Sequence, residues 1–150
     1  MKLRCWTFIL VIGVFTACQN NQSAQKDKEK IISGATEQSC YTYTKNKDTA
    51  SLMLIISGRI ITGELHYQLF EKDSNKGIIK GEMRGDTLVA DYIFNSEGKQ
   101  STRQVAFLRK NGKLIEGSGE VTEKNGKVYF RSTSDLKFGD AIEFTKVSCK

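Results

Sequence analysis

The stretch Ile61-Thr62-Gly63-Glu64-Leu65-His66-Tyr67-Gln68-Leu69 alternates residue by residue. Ile61, Gly63, Leu65, Tyr67 and Leu69 fall on one face, and Thr62, Glu64, His66 and Gln68 on the other. A period of two describes a strand with one buried and one wet face, as antiparallel sheets have. The pattern recurs on both sides. Leu88, Ala90, Tyr92 and Phe94 oppose Asp91 and Asn95, and Ile115, Gly117, Gly119 and Val121 oppose Glu116, Ser118 and Glu120. From Cys40 onward the chain divides into short β-forming segments: Cys40–Thr44, Ser51–Ile56, Ile60–Phe70, Lys76–Arg84, Thr87–Asn95, Thr102–Lys110, Lys113–Thr122, Lys127–Arg131 and Ala141–Val147. The breaks fall at Ser57-Gly58, Asn75-Lys76-Gly77, Gly85-Asp86, Glu97-Gly98, Asn111-Gly112, Asn125-Gly126 and Gly139-Asp140. Asn-Gly is the strongest short hairpin signal, because both residues tolerate positive φ. No segment sustains a helical period.

A weak internal repeat supports a coiled sheet. Ile61-Thr62-Gly63-Glu64-Leu65 matches Ile79-Lys80-Gly81-Glu82-Met83, and Ile115-Glu116-Gly117 begins a third copy. Glycine on a buried strand face permits sharp coiling. The fold class expected is all-β: an antiparallel up-and-down meander of about eight or nine strands, closed or nearly closed into a small lipocalin-like barrel. A flat open meander is the alternative. Closure removes exposed edges, and a barrel of this size is either filled by side chains or holds one small ligand. The inward aromatics Tyr67, Tyr92, Phe94 and Phe107 would line such a cavity, or else form core.

The N-terminus carries an address. Lys2 and Arg4 precede an apolar run from Cys5 to Ala17. This is the layout of a secretory signal, and it is shorter than the roughly 20 residues of a spanning helix. Phe15-Thr16-Ala17-Cys18 resembles the bacterial lipobox, although Phe15 departs from its usual aliphatic residue. The resemblance implies cleavage of residues 1–17 and attachment of a diacylglycerol to Cys18. Two or more acyl chains make such an anchor stable. Residues 19–39 then form a polar tether, with a span of about 25 Å for a flexible chain. The domain organisation expected is therefore signal peptide 1–17, lipidated Cys and tether 18–39, and barrel 40–150. Gln19 is not the Asp that in many diderm bacteria retains lipoproteins at the inner membrane, so the outer membrane is the favoured address, on its periplasmic or surface face.

Of four Cys, Cys5 leaves with the signal and Cys18 is acylated, which leaves Cys40 and Cys149. Export places them in an oxidising compartment, where a disulfide is the default. Their spacing is neither a redox C-x-x-C nor a zinc pattern. The bridge would join the first strand to the last.

Gly81-Glu82-Met83-Arg84-Gly85-Asp86-Thr87-Leu88-Val89-Ala90-Asp91-Tyr92, with Val105-Ala106-Phe107-Leu108 and Leu114-Ile115-Glu116-Gly117, resembles a group of small Bacteroidetes-type lipoproteins over most of the chain. Those proteins share the lipobox, the tether, the Gly-Asp-Thr-Leu hairpin and the terminal Cys pair. The resemblance implies location and architecture, and no activity. It also implies an O-glycosylation pattern, Asp then Ser or Thr then an aliphatic or similar residue. Asp48-Thr49-Ala50 and Asp86-Thr87-Leu88 fit it, making Thr49 and Thr87 candidate sites.

Catalytic patterns are scarce. His66 is the single His and alternates onto the wet face, and there is no Gly-x-Ser-x-Gly elbow, phosphate loop or calcium loop. Glu64 and Glu82 occupy equivalent repeat positions and could pair as glycosidase carboxylates, though repeated Glu on a solvent face ordinarily serves solubility. Arg103, Arg109, Lys110 and Lys113 surround one turn as a basic cluster. The chain carries +6 overall, and removal of Lys2 and Arg4 leaves +4, a modest excess that does not suggest nucleic-acid binding. The function expected is a non-enzymatic envelope lipoprotein, held to the membrane by its lipid and without a cofactor. Its barrel would bind a small hydrophobic or polymeric ligand or an envelope protein. The alternative is a structural or inhibitory module with a filled core, acting through its loops.

Overall fold

A computed structural model describes residues 35–150. The stretch expected as signal peptide, Cys18 and the first part of the expected tether lie outside the described residues.

Two-residue turns generate most of the architecture. β1 (Glu37–Lys45), β2 (Asp48–Ser57), β3 (Ile60–Gln68), β4 (Asn75–Arg84), β5 (Thr87–Ser96), β6 (Lys99–Lys110) and β7 (Lys113–Ser118) each pair antiparallel with the next. A hairpin, β8 (Val121–Lys124) with β9 (Lys127–Phe130), follows. β10 (Lys137–Val147) then inserts between β7 and β1 and closes the ring. The result is a closed antiparallel barrel of eight strands, β1 to β7 and β10, with the β8–β9 hairpin outside it. At Glu97-Gly98, Asn111-Gly112 and Asn125-Gly126 both turn residues have positive φ, the hairpin geometry whose twist matches the strands. The open-meander alternative is excluded.

Inside, Leu52, Leu54, Ile61, Leu65, Ile79, Leu88, Phe107, Leu114 and Phe144 form a continuous apolar core, each 3% exposed or less. Phe107 meets Phe144 edge-on at 5.7 Å between centroids, a favourable aromatic geometry. The inward glycines have the coiling role expected of them. A Cβ on Gly63 would strike the Met53 carbonyl, and one on Gly81 the Val89 carbonyl and Ala90.

Several expectations need correction. Lys113–Thr122 is not one strand: it breaks between β7 and β8, where Gly119 leaves room for Leu136 to cross. Asn75-Lys76-Gly77 is not a turn but the start of β4, and Gly77 is required because the Ile93 carbonyl sits where its Cβ would be. Gly139-Asp140 interrupts β10 without ending it. Phe138 pairs with Gly117 and Glu143 with Ile115, so a bulge on β10 faces Glu116, and Gly139 there has φ 144°. The meander is not wholly antiparallel either, since β9 joins β6 in parallel at Thr102 and Arg103. Pairing in β1 begins at Glu37, within the stretch expected as tether.

The strand break, the bulge and the parallel pairing share one side of the ring. The ladders from β1 through β6 have eight to ten register pairs each. Those joining β6 to β7, β7 to β10 and β10 to β1 have only three to five. The Cys40–Cys149 disulfide, with Cα atoms 5.2 Å apart, ties the thinnest of these, the β1–β10 seam.

Candidate functional site in the upper lumen

One end of the barrel is ringed by the Asn46-Lys47 turn, the segment 69–74 and the Glu97-Gly98 turn. Below that rim the lumen changes character. Tyr67, near the end of β3, sends its hydroxyl across to Glu116 on β7 and donates a 2.7 Å hydrogen bond to Oε1. β3 and β7 stand opposite each other in the ring, so this bond spans the lumen. Tyr92 stacks on Phe94 at 4.6 Å between centroids and meets Tyr67 edge-on at 6.0 Å. The Tyr92 hydroxyl donates to the Asn75 carbonyl at 2.9 Å.

Arg103 occupies the space these rings enclose. It is the cross-strand partner of Tyr92, and cross-strand partners share a face. Its Cζ lies 5.5 Å from the centroid of each of Tyr67, Tyr92 and Phe94. This is cation–π range, and the attraction strengthens on desolvation. Burial pushes the Glu116 carboxyl above the usual carboxylate range, against the opposing pull of the Tyr67 hydrogen bond and the Arg103 charge. Burial and the neighbouring Glu116 raise Tyr67 well above the ordinary phenol range. Burial pushes Tyr92 up to about 12, with Arg103 acting in the other direction. Both phenols therefore stay protonated donors at physiological pH.

The wall beside this group is open. The β6–β7 ladder stops at Phe107 and Glu116, and higher up β9 takes the edge of β6. Between them lies a slot of about 310 Å³, lined by Arg103, Gln104, Val105, Glu116, Gly117, Ser118, Gly119, Val121, Val128 and Phe130. A second cleft of about 610 Å³ shares Ser118 and Gly119 with it and extends to Glu120, Arg131, Asp135 and Lys137.

Three of the four aromatics expected to face a cavity, Tyr67, Tyr92 and Phe94, come together in this upper group. Phe107 is fully buried in the core lower down. Alternation along β7 led to the wrong face: Leu114 and Glu116 point inward, and Gly117 lies against the Phe138 ring of the neighbouring strand. The third repeat copy therefore shares residue types with the first two but not their orientation. Arg103 likewise belongs to no surface basic cluster. Arg109 pairs with Asp86 at 3.2 Å, and Lys113 with Glu143 at 2.5 Å. The signal that would have found both missed residues was the Asn111-Gly112 turn. Counting outward from it pairs Glu116 with Phe107, and two further alternations along β6 reach Arg103.

Glu64 and Glu82 lie on the outer wall without converging. Glu64 pairs with Lys76 at 3.5 Å, and Glu82 with Arg84 at 2.9 Å and Arg59 at 3.8 Å. His66 Nε2 lies 2.8 Å from Ser74 Oγ at the surface. Thr49 is exposed and Thr87 half-buried, each at the start of a strand. Asp48 accepts the Phe70 amide at 2.7 Å.

The fold and site define a small lipocalin-like barrel with a filled lower core and a polar, laterally open upper lumen. No known protein family, curated protein or solved structure matches the chain.

Proposed function

We propose that the chain is a lipid-anchored lipoprotein of the bacterial cell envelope, no enzyme but a binder that holds a small ligand in the upper lumen of its barrel. The observation that carries this reading is the group formed by Arg103, Glu116, Tyr67 and Tyr92. Placing a cation, a carboxyl and two hydroxyls inside a small barrel costs desolvation energy that an apolar core would avoid. A binding site gives those groups a use, and the slot beside them gives a ligand access. Anchoring is supported by the sequence of residues 1–18, and the described chain enters β1 at the end of the barrel away from the polar lumen. The described chain therefore begins at one end while the polar group lies toward the other.

Native mass spectrometry of protein purified from its own membrane tests the reading. A retained small molecule supports ligand binding, and only protein and lipid mass counts against it. Palmitate labelling tests the anchor: the parent should be marked and Cys18→Ala should not. A second reading, an interaction module acting through its loops, is favoured by the filled lower core around Phe107 and Phe144. It predicts that cross-linking in the envelope captures a protein partner through the rim turns.

A further inference from the structure

None of the seven ion pairs among the described residues uses Arg103. Its Nε is buried without a hydrogen-bond partner. A guanidinium cannot shed its charge by deprotonating, as a buried Lys can. The aromatic rings stabilise its face, but they leave the buried Nε–H unanswered. Buried polar groups are ordinarily hydrogen-bonded, and this one is not.

The second observation concerns the slot that Arg103 lines. Its flank is apolar, made by Val105, Val128, Phe130 and Val121, and Val121 remains 51% exposed. A permanent cation at the inner end and an apolar flank toward solvent describe the complement of an amphiphilic anion. About 310 Å³ is at the lower end of small-molecule sites, which run from about 300 Å³ upward. That admits one ring or a short chain rather than a long acyl chain.

We propose that this lateral slot binds a small organic anion, its carboxylate or comparable acidic head on Arg103 and its apolar body against Val121, Val128 and Phe130. This rests on the ligand-binding reading above and adds the ligand's charge and point of access. Glu116 shares the slot and is the charge the head must avoid. Its hydrogen bond from Tyr67 holds one carboxyl oxygen toward β3.

The test uses the full-length chain in a neutral detergent, labelled with ¹⁵N and followed by NMR at the Arg103 Nε–H. It is titrated separately with benzoate, benzyl alcohol and benzylammonium. Benzoate should move the Arg103 signal saturably and bind at least tenfold more tightly than the other two. Arg103→Met should weaken benzoate by roughly ten- to a hundredfold, the range for hydrogen bonds to a charged group. Arg103 also packs against three rings, so Val121→Asp provides a variant at an exposed position. Benzoate and benzyl alcohol both lose an apolar contact there, but only benzoate also meets a like charge, so its binding should weaken severalfold more than that of benzyl alcohol. Benzyl alcohol or benzylammonium binding as tightly as benzoate would overturn the anion inference and leave ligand binding standing. An unmoved Arg103 signal with benzoate overturns it as well. If none of the three probes moves a slot resonance, the inference falls, and native mass spectrometry separately decides whether the lumen holds another ligand.

Discussion

Breaking the disulfide should destabilise the whole domain and open one seam of it first. Cys40 and Cys149 are 109 residues apart, and for a loop of about that length the chain-entropy account gives roughly 4.7 kcal/mol. With a urea dependence of about 2 kcal/mol per molar for a small domain, the midpoint should fall by about 2 M in the Cys40→Ser/Cys149→Ser variant. The half-buried Cys40 and exposed Cys149 leave little cavity to add to that loss. The structure also locates the first opening. β1 and β10 share only three register pairs, Cys40 with Val147, Tyr41 with Lys146 and Thr42 with Thr145, whereas β1 and β2 share nine. Phe144, fully buried against Phe107, holds the middle of β10 in place. Hydrogen exchange in the variant should therefore accelerate first at the amides that bond across the β1–β10 seam, within Cys40–Thr42 and Thr145–Val147, while β2 through β5 stay protected. An unchanged urea midpoint, or uniform loss of protection around the ring, would refute the account of a stapled seam.

Glu116 carries a pH signature. Its folded-state pKa is raised, so the native protein keeps a proton that the unfolded chain gives up. That stability is fully present below the ordinary carboxylate range and is lost as pH rises through the folded value. Glu116→Gln should raise the melting temperature at pH 8, change it little at pH 4 and flatten the profile between, as calorimetry would show. Phe107→Ala empties a fully buried site and should cost about 3–5 kcal/mol in chemical denaturation. Gly81→Val forces a side chain into the Val89 carbonyl and Ala90, and overpacking of this kind costs about 1–3 kcal/mol. The outward Thr62→Val, measured by the same denaturation, should stay within about 0.5 kcal/mol.

Much of the barrel could be read from the chain because its determinants are local. The alternation in Ile61–Leu69 and Leu88–Phe94 gave the inward faces correctly, since those strands are regular and their turns short. Asn111-Gly112 and Asn125-Gly126 fell where hairpins form. Apart from the start of β4 at Asn75, the main errors cluster where the ladders thin. Lys113–Thr122 looked like one strand because nothing local announces that Leu136 crosses at Gly119. Gly139-Asp140 carries a turn signature, and only the pairing of its flanks with Gly117 and Ile115 shows it to be a bulge. The face of Glu116 was lost because apolar and polar residues alternate in β7 whichever set points inward.

The sequence by itself determined strand content, hairpin turns, the cysteine pair and the inward set of the regular half, because each depends on residues close in the chain or on the scarcity of other partners. Only the tertiary structure decided that β10 returns to β1 and that Tyr67 reaches Glu116 across the lumen. It alone showed Arg103 sitting among three rings beside a gap in the wall. Those facts depend on strands far apart in sequence, and a one-residue change of register reverses which side chains they bring together.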